Sequence, residues 1–188
     1  MSTTSDKKPR ADAQANRQKV LEAARFQFAQ DGPDASLNEV ARRAGVGVAT
    51  LYRHFPTRDS LVAAVYSSEL DALGASVDEY LATLTPDAAL DAWGARFLEY
   101  ATTKRGLGEA LKAARESGDI TVDPRAVLVE SMDKLIAAGR DAGTVNSDAD
   151  GEDLLRAFGG LWSMPDDEQF PVRAKRLMDL VFGGLRHG

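Results

Sequence analysis

Apolar residues recur every three or four positions along most of this chain, and over no length do they alternate in twos. That period belongs to helices with one buried face. It is most informative between Ser36 and Phe55, where Leu37, Val40, Ala41 and Ala44 stand at i, i+3, i+4 and i+7. Ser36 with Glu39 three residues on has the form of a capping box, the hydroxyl accepting from an orphan backbone N–H and the carboxylate reaching back. Gly45 falls where this short helix must end, because glycine tolerates the left-handed backbone that closes a helix. A second short helix begins after Val46-Gly47, with Leu51 and Phe55 facing inward. Val48, Ala49, Thr50, Tyr52, Arg53 and His54 are left to share its outer and flanking sides. A helix, a glycine turn and a second helix with small residues at its tip is the form in which helix-turn-helix proteins fill a major groove.

Seven further helices follow from the same reading. The first spans about residues 11–30, buries Leu21, Ala24 and Phe28, and stops at Asp31-Gly32-Pro33. Pro56-Thr57 breaks the motif, and Thr57 caps a long fourth helix over 58–83 with Leu61, Val65, Leu73, Val77 and Leu84 among its apolar positions. At about 1.5 Å per residue it is a rod of about 39 Å. Thr85-Pro86 opens a fifth helix through Leu90, Trp93, Phe97 and Tyr100, with proline at its favoured first position. Gly106 and Gly108 bracket the break before a short sixth helix through Leu111 and Ala114. Asp123-Pro124 opens a seventh, through Leu128, Met132, Leu135 and Ile136. An eighth is expected from about Asp150 to Ser163 with Leu154, Leu155, Phe158, Leu161 and Trp162. A ninth runs from about Gln169 to Arg186 with Val172, Leu177, Leu180, Val181, Phe182 and Leu185. The expected fold is all-α, nine helices in all. Its organisation is an arm without fixed structure over 1–10, a three-helix helix-turn-helix head over 11–57 and a helical body over 58–188.

Composition narrows the function. With 188 residues, 44% hydrophobic and 28% charged, the chain suits a single domain or a small head on a larger body. There is no cysteine, which excludes disulfides and thiolate metal sites and fits a reducing cytoplasm. The opening MSTTSDKKPR lacks the apolar core of a signal peptide, and no run approaches the roughly 18 apolar residues of a membrane span. A cytoplasmic protein with no membrane partner is expected. The net charge of −6 is unevenly placed: residues 1–60 carry ten Lys/Arg against seven Asp/Glu, and residues 61–188 thirteen against twenty-two. Basic charge gathers at the motif end, while the acidic body would be repelled by DNA. Lys7, Lys8 and Arg10 make the arm basic, either to follow a minor groove or as a solubilising tail.

Enzymatic readings fail on inventory. The two histidines are His54 in the motif and His187 in the tail, and no nucleophile–base–acid set has sequence support. Gly45-Val46-Gly47 is no phosphate loop, since no strand precedes it. The acidic clusters Asp148-Asp150-Glu152-Asp153 and Asp166-Asp167-Glu168 have the composition of a hard-cation site, but are read as charges favoured at helix N-termini. No cofactor or metal is expected.

The motif resembles the TetR family of transcriptional regulators. The likeness is carried by VLEAARFQFAQDGPDAS and AGVGVATLYRHFPTRDSL, within about residues 17–65. By that resemblance Gly47, Val48 and Ala49 lie nearest the bases, while Thr50, Tyr52 and His54 meet phosphates, which position without specifying. Ser36 is expected at a phosphate and Asn38 at a base, with Arg42 and Arg43 as phosphate neighbours. Arg58 stands where relatives commonly carry lysine, at a helix N-terminus suited to a phosphate. The apolar tip offers methyl contacts to thymine but no bidentate reader. Asn38, backbone groups and DNA shape would then carry much of the specificity. The resemblance further implies a small-molecule pocket in the body, drawn from Trp93, Arg96, Phe97, Tyr100, Met132, Ile136 and Trp162. Lys104, Ser131, Ser163 and Met164 are further candidates, and simple core packing is the alternative for the large side chains. It also implies a homodimer paired through the eighth and ninth helices, with Leu154, Phe158, Leu161, Leu177 and Val181 in the seam. The expected function is a ligand-responsive repressor on a palindromic, double-stranded operator, released by a small apolar or aromatic effector. The rivals are a constitutive DNA-binding or architectural dimer with no effector pocket, and an enzyme or carrier that keeps the head as a relic.

Overall fold

The computed structural model describes residues 7–165 and 167–187. All regular structure among the described residues is helical: α1 (Lys7–Asp31), α2 (Leu37–Ala44), α3 (Val48–His54), α4 (Arg58–Thr83), α5 (Pro86–Gly106), α6 (Gly108–Glu116), α7 (Pro124–Asp141), α8 (Gly151–Ala157) and α9 (Phe170–His187). Short 3-10 turns fill Gly32–Asp34 and Phe158–Ser163. The arm expected over 1–10 lies outside the described residues up to Asp6, and Lys7 to Arg10 already belong to α1.

The elements begin and end for local reasons. Thr57 caps α4 as its sequence requires: the Ser60 N–H donates to Thr57 Oγ1 at 3.0 Å, and the Thr57 N–H donates to Ser60 Oγ at 3.2 Å. Asp123 accepts from the Arg125 N–H at the start of α7, behind Pro124. The acidic residues before α8 form a capping box, Asp153 N–H to Asp150 Oδ1 at 2.9 Å and Asp150 N–H to Asp153 Oδ2 at 3.4 Å.

The helices gather into two compact units, and the division falls inside α4 between Ser68 and Glu69. One unit holds α1, α2, α3, the first turns of α4, and α6. Val20, Ala24 and Phe28 of α1 are buried with Val40 and Ala41 of α2, Leu51 and Phe55 at α3, and Leu61 and Val62 of α4.

The other unit holds the rest of α4 with α5, α7, α8 and α9. Its core is aromatic. Trp93 stacks on Phe97 with centroids 5.4 Å apart, Phe97 on Phe158 at 5.2 Å, and Phe182 meets Phe158 edge-on at 5.8 Å. Gly94 lets α9 come close, since a Cβ there would stand 2.5 Å from Phe182 Cε2. Arg186 near the end of α9 is tied to Asp91 and Asp87 of α5. Burial alone would lower its pKa, but those carboxylates raise it, so it is held firmly charged.

Three expectations change here. Leu84 lies beyond α4 and is exposed. The eighth helix does not run on to Ser163: at Phe158 it tightens into a 3-10 turn through Gly159-Gly160. Arg105 of α5 secures that turn, donating to the carbonyls of Leu161 at 3.0 Å and Met164 at 2.7 Å with Phe170 under its guanidinium. Leu154, Phe158 and Leu161, expected in a seam between protomers, are buried in the protomer's own core. The apolar residues that α9 turns outward are Leu180, 75% exposed, and Val172 at 48%, with Leu177 and Val181 half-buried beside them. Periodicity marks an apolar side chain, but does not say whether its own fold or a partner covers it.

Candidate nucleic-acid interface

The two short helices are set by the glycine between them. Gly45 lies in the left-handed region at φ 68°, ψ 30°, and closes α2. The Gly45 N–H donates to the Arg42 carbonyl at 3.2 Å and the Val46 N–H to the Ala41 carbonyl at 3.1 Å, the paired bonds of a Schellman motif. Gly47 then caps α3 with its carbonyl, which accepts from Thr50 and Leu51. Leu51 and Phe55 anchor α3 inward, and the Arg17 guanidinium from α1 sits 5.2 Å from the Phe55 ring.

That anchoring turns Val48, Ala49, Tyr52 and Arg53 to solvent on one face of α3, with Gly47 exposed before them and Thr50 at the flank. Val48 is 39% and Tyr52 47% exposed. Ser36 and Asn38 are exposed at the start of α2. Arg53 shares this face, as expected of an outer residue of the second helix, although no DNA contact was assigned to it. The signal was present, because residues 49 and 53 are one turn apart on the side opposite Leu51.

The other expected contacts sit differently. Glu39 does not close a capping box with Ser36, whose side chain makes no cap bond; its carboxylate is taken by Arg42, which donates from Nε at 2.8 Å. That hydrogen bond, with the attraction of the same carboxylate, holds the Arg42 pKa above its ordinary value. Arg43 lies flat on the exposed Phe26 ring of α1, 3.4 Å from its centroid. His54 is half-buried, and its Nε2 is covered without a hydrogen-bond partner, so that atom does not face outward. Arg58 donates from Nη1 to the Ala35 carbonyl at 2.8 Å, tying the start of α4 to the turn before α2.

In the second unit Trp93, Phe97 and Tyr100 adjoin one another in the core, Met132 and Ile136 are buried, and Arg96 is half-buried. Trp93 Nε1 is buried with no hydrogen-bond partner. Trp162 is not with them: it is 37% exposed, with the Lys104 ammonium 4.2 Å over its ring. Ser131 gives its hydroxyl to the Val127 carbonyl of its own helix, and Ser163 is exposed. Of the expected polar groups, Tyr100 lies beside Phe97 in the buried cluster.

The fold and the two-helix unit define a helix-turn-helix protein with a separate helical body. The family description "Bacterial regulatory proteins, tetR family" matches residues 20–65, and that of the SbtR-like transcriptional regulator C-terminal domain matches residues 85–187. A TetR transcriptional regulator from Streptomyces coelicolor is 42% identical, with a TM-score of 0.81 over 90% of this chain and 98% of its own. A TetR regulatory protein from Mycobacterium vanbaalenii is 32% identical at a TM-score of 0.72, over 94% and 98%. A structure described for the control of antibiotic production by bacterial hormones is 25% identical at 0.65, over 90% and 97%. Curated helix-turn-helix regulators of Staphylococcus aureus are 40% identical over 63 residues, 33% of this chain, so the match spans about a third (34%) of their length. The chain belongs to the TetR family of transcriptional regulators.

Proposed function

We propose that this regulator is a repressor that binds a palindromic operator as a homodimer and leaves it when a small apolar or aromatic effector binds the second unit. The observation that carries the DNA half is the single exposed face of α3, set by the left-handed turn at Gly45. On it, Tyr52 and Arg53 are donors for phosphate oxygens, while Gly47, Val48 and Ala49 approach the bases. Asn38 at the start of α2 is the adenine reader. Thr50 and Ser36 add hydroxyls at the edges, and Arg43 is a phosphate cation held in place by Phe26.

The effector half is supported by the aromatic cluster of Trp93, Phe97 and Tyr100, where an indole N–H lacks an acceptor. A buried donor without a partner costs about 1–3 kcal/mol, which a ligand oxygen would recover. Dimerisation is supported by the outward stripe of Leu177, Leu180 and Val181 on α9. The rival, a constitutive DNA-binding dimer, also has an observation in its favour: Trp93, Phe97 and Phe158 stack on one another and are fully buried, as ordinary core side chains are. Selection of bound duplexes from random DNA tests the first half. A screen of apolar and aromatic compounds against tryptophan emission, then against release of the selected duplex, tests the second. A compound that shifts emission and leaves DNA binding untouched favours the rival.

A further inference from the structure

The base-reading surface of α3 allows a sharper statement, which rests on the operator-binding reading above. Its exposed face opens with Gly47, Val48 and Ala49, none of which has a side-chain hydrogen-bond donor or acceptor. Nothing lies within 4 Å of where a Cβ on Gly47 would stand, so the approach to this surface is open. Valine gains nothing locally at this place. Its branched side chain loses rotamer freedom in a helix, and more than a third of its surface is left to water. Tyr52, one turn on, extends the same face with an apolar ring.

On the major-groove edge of a base pair the one apolar group is the C5-methyl of thymine; the rest are amino donors and ring or carbonyl acceptors. We propose that Val48, flanked by Ala49, is a specificity-determining residue that reads thymine methyl groups. Each half-site then carries thymine where it faces the start of α3. Discrimination works in both directions. A methyl group removes apolar surface from water on both partners, whereas a cytosine amino group there loses its water to a side chain that cannot hydrogen-bond it. Recognition by 5-methylcytosine in the same position follows from the same chemistry.

The test uses the full chain and duplexes selected from random sequence. Each thymine of the half-site is replaced in turn by deoxyuridine, which deletes the methyl and leaves the hydrogen-bonding edge intact. At one or two positions binding weakens about fourfold, the worth of one buried carbon. In Val48→Ala, an exposed-site variant whose helical content checks the fold, the thymine and uracil duplexes bind alike at that position. A cytosine placed there regains affinity when methylated at C5. Uracil tolerated at every position overturns the proposal. So does a uracil effect of the same size in Val48→Ala, since the methyl would then act through duplex shape. A chain that selects no duplex overturns the operator reading and this proposal with it.

Discussion

At the scale of single residues, the side chains that decide the interface are those the core leaves over. Leu51 and Phe55 fix the phase of α3, and Tyr52 emerges 47% exposed as a consequence. Tyr52→Phe is expected to lower affinity by a similar factor on the selected operator and on random duplex, because a phosphate contact carries no sequence information. Asn38→Ala should instead cost about 1–3 kcal/mol on the operator alone. Fluorescence anisotropy on the two duplexes separates the outcomes, and an operator-only loss in Tyr52→Phe would assign it to a base. Thr57→Ala, which removes the cap of α4, should lower stability by about 1 kcal/mol in thermal unfolding. The left-handed Gly45 and the Thr57 cap were readable beforehand, because each depends on backbone geometry and its immediate neighbours. The Ser36–Glu39 box was not, since Arg42 one turn on competes for the same carboxylate.

At the scale of elements, the helices themselves were readable nearly throughout, from their apolar period and their Pro, Gly and Asp-Pro punctuation. Two features were hidden by long-range contacts. The 3-10 turn after Ala157 depends on Arg105, which binds the carbonyls of Leu161 and Met164 from 56 and 59 residues earlier in the chain. The outward stripe of α9 depends on Phe170, Ala174, Met178, Phe182 and Leu185 taking the inward one. Two substitutions now separate fold from assembly. Leu180→Asp places a charge on the outward stripe and should convert a dimer to a folded monomer by sedimentation, with helical content kept. Phe158→Asp puts an uncompensated charge in the core and should destabilise the protomer itself by about 3–5 kcal/mol. A Leu180→Asp protein that sediments as the unchanged parent species removes α9 from the interface. The turn before α9 has a pH signature. The hydrogen bonds from Arg173 hold the Asp167 carboxyl below its ordinary value, outweighing the opposing effect of burial. A depressed carboxylate stabilises the fold above its unfolded pKa and loses that contribution as pH falls through the folded value. Asp167→Asn should therefore lower stability near neutrality, where that contribution is present, and flatten the loss of stability below about pH 4, where parent and variant converge.

At the scale of the whole molecule, α4 has several turns in each of the two compact units. Arg58 at its start is bonded to the Ala35 carbonyl at the entrance to α2, and Leu70, Leu73 and Val77 of its later turns are buried. A dimer must hold two α3 helices about 34–36 Å apart to use both half-sites of a palindrome. A change of tilt along a helix of 26 residues is enlarged at its far end and spoils that spacing. On the proposed reading, an effector would need only to prefer the unsuited position of α4, and about 3 kcal/mol of differential binding is worth about a hundredfold in operator affinity. Asp71 and Ala75 lie on the exposed side of α4 just past the division between the units. Replacing both with glycine loosens the helix, by about 1 kcal/mol at Ala75 and a few tenths at Asp71, without touching the aromatic cluster or α3. Trp162→Phe leaves Trp93 as the only tryptophan, so emission then reports the buried cluster. In that background the double glycine variant should keep effector affinity and operator affinity close to those of the parent. Its release on effector binding should fall from about a hundredfold to about tenfold, as the two events come uncoupled. If release is undiminished, the coupling travels by a route other than α4; if effector affinity falls as well, the glycines have disturbed the second unit and the shared helix is not the sole thing being read.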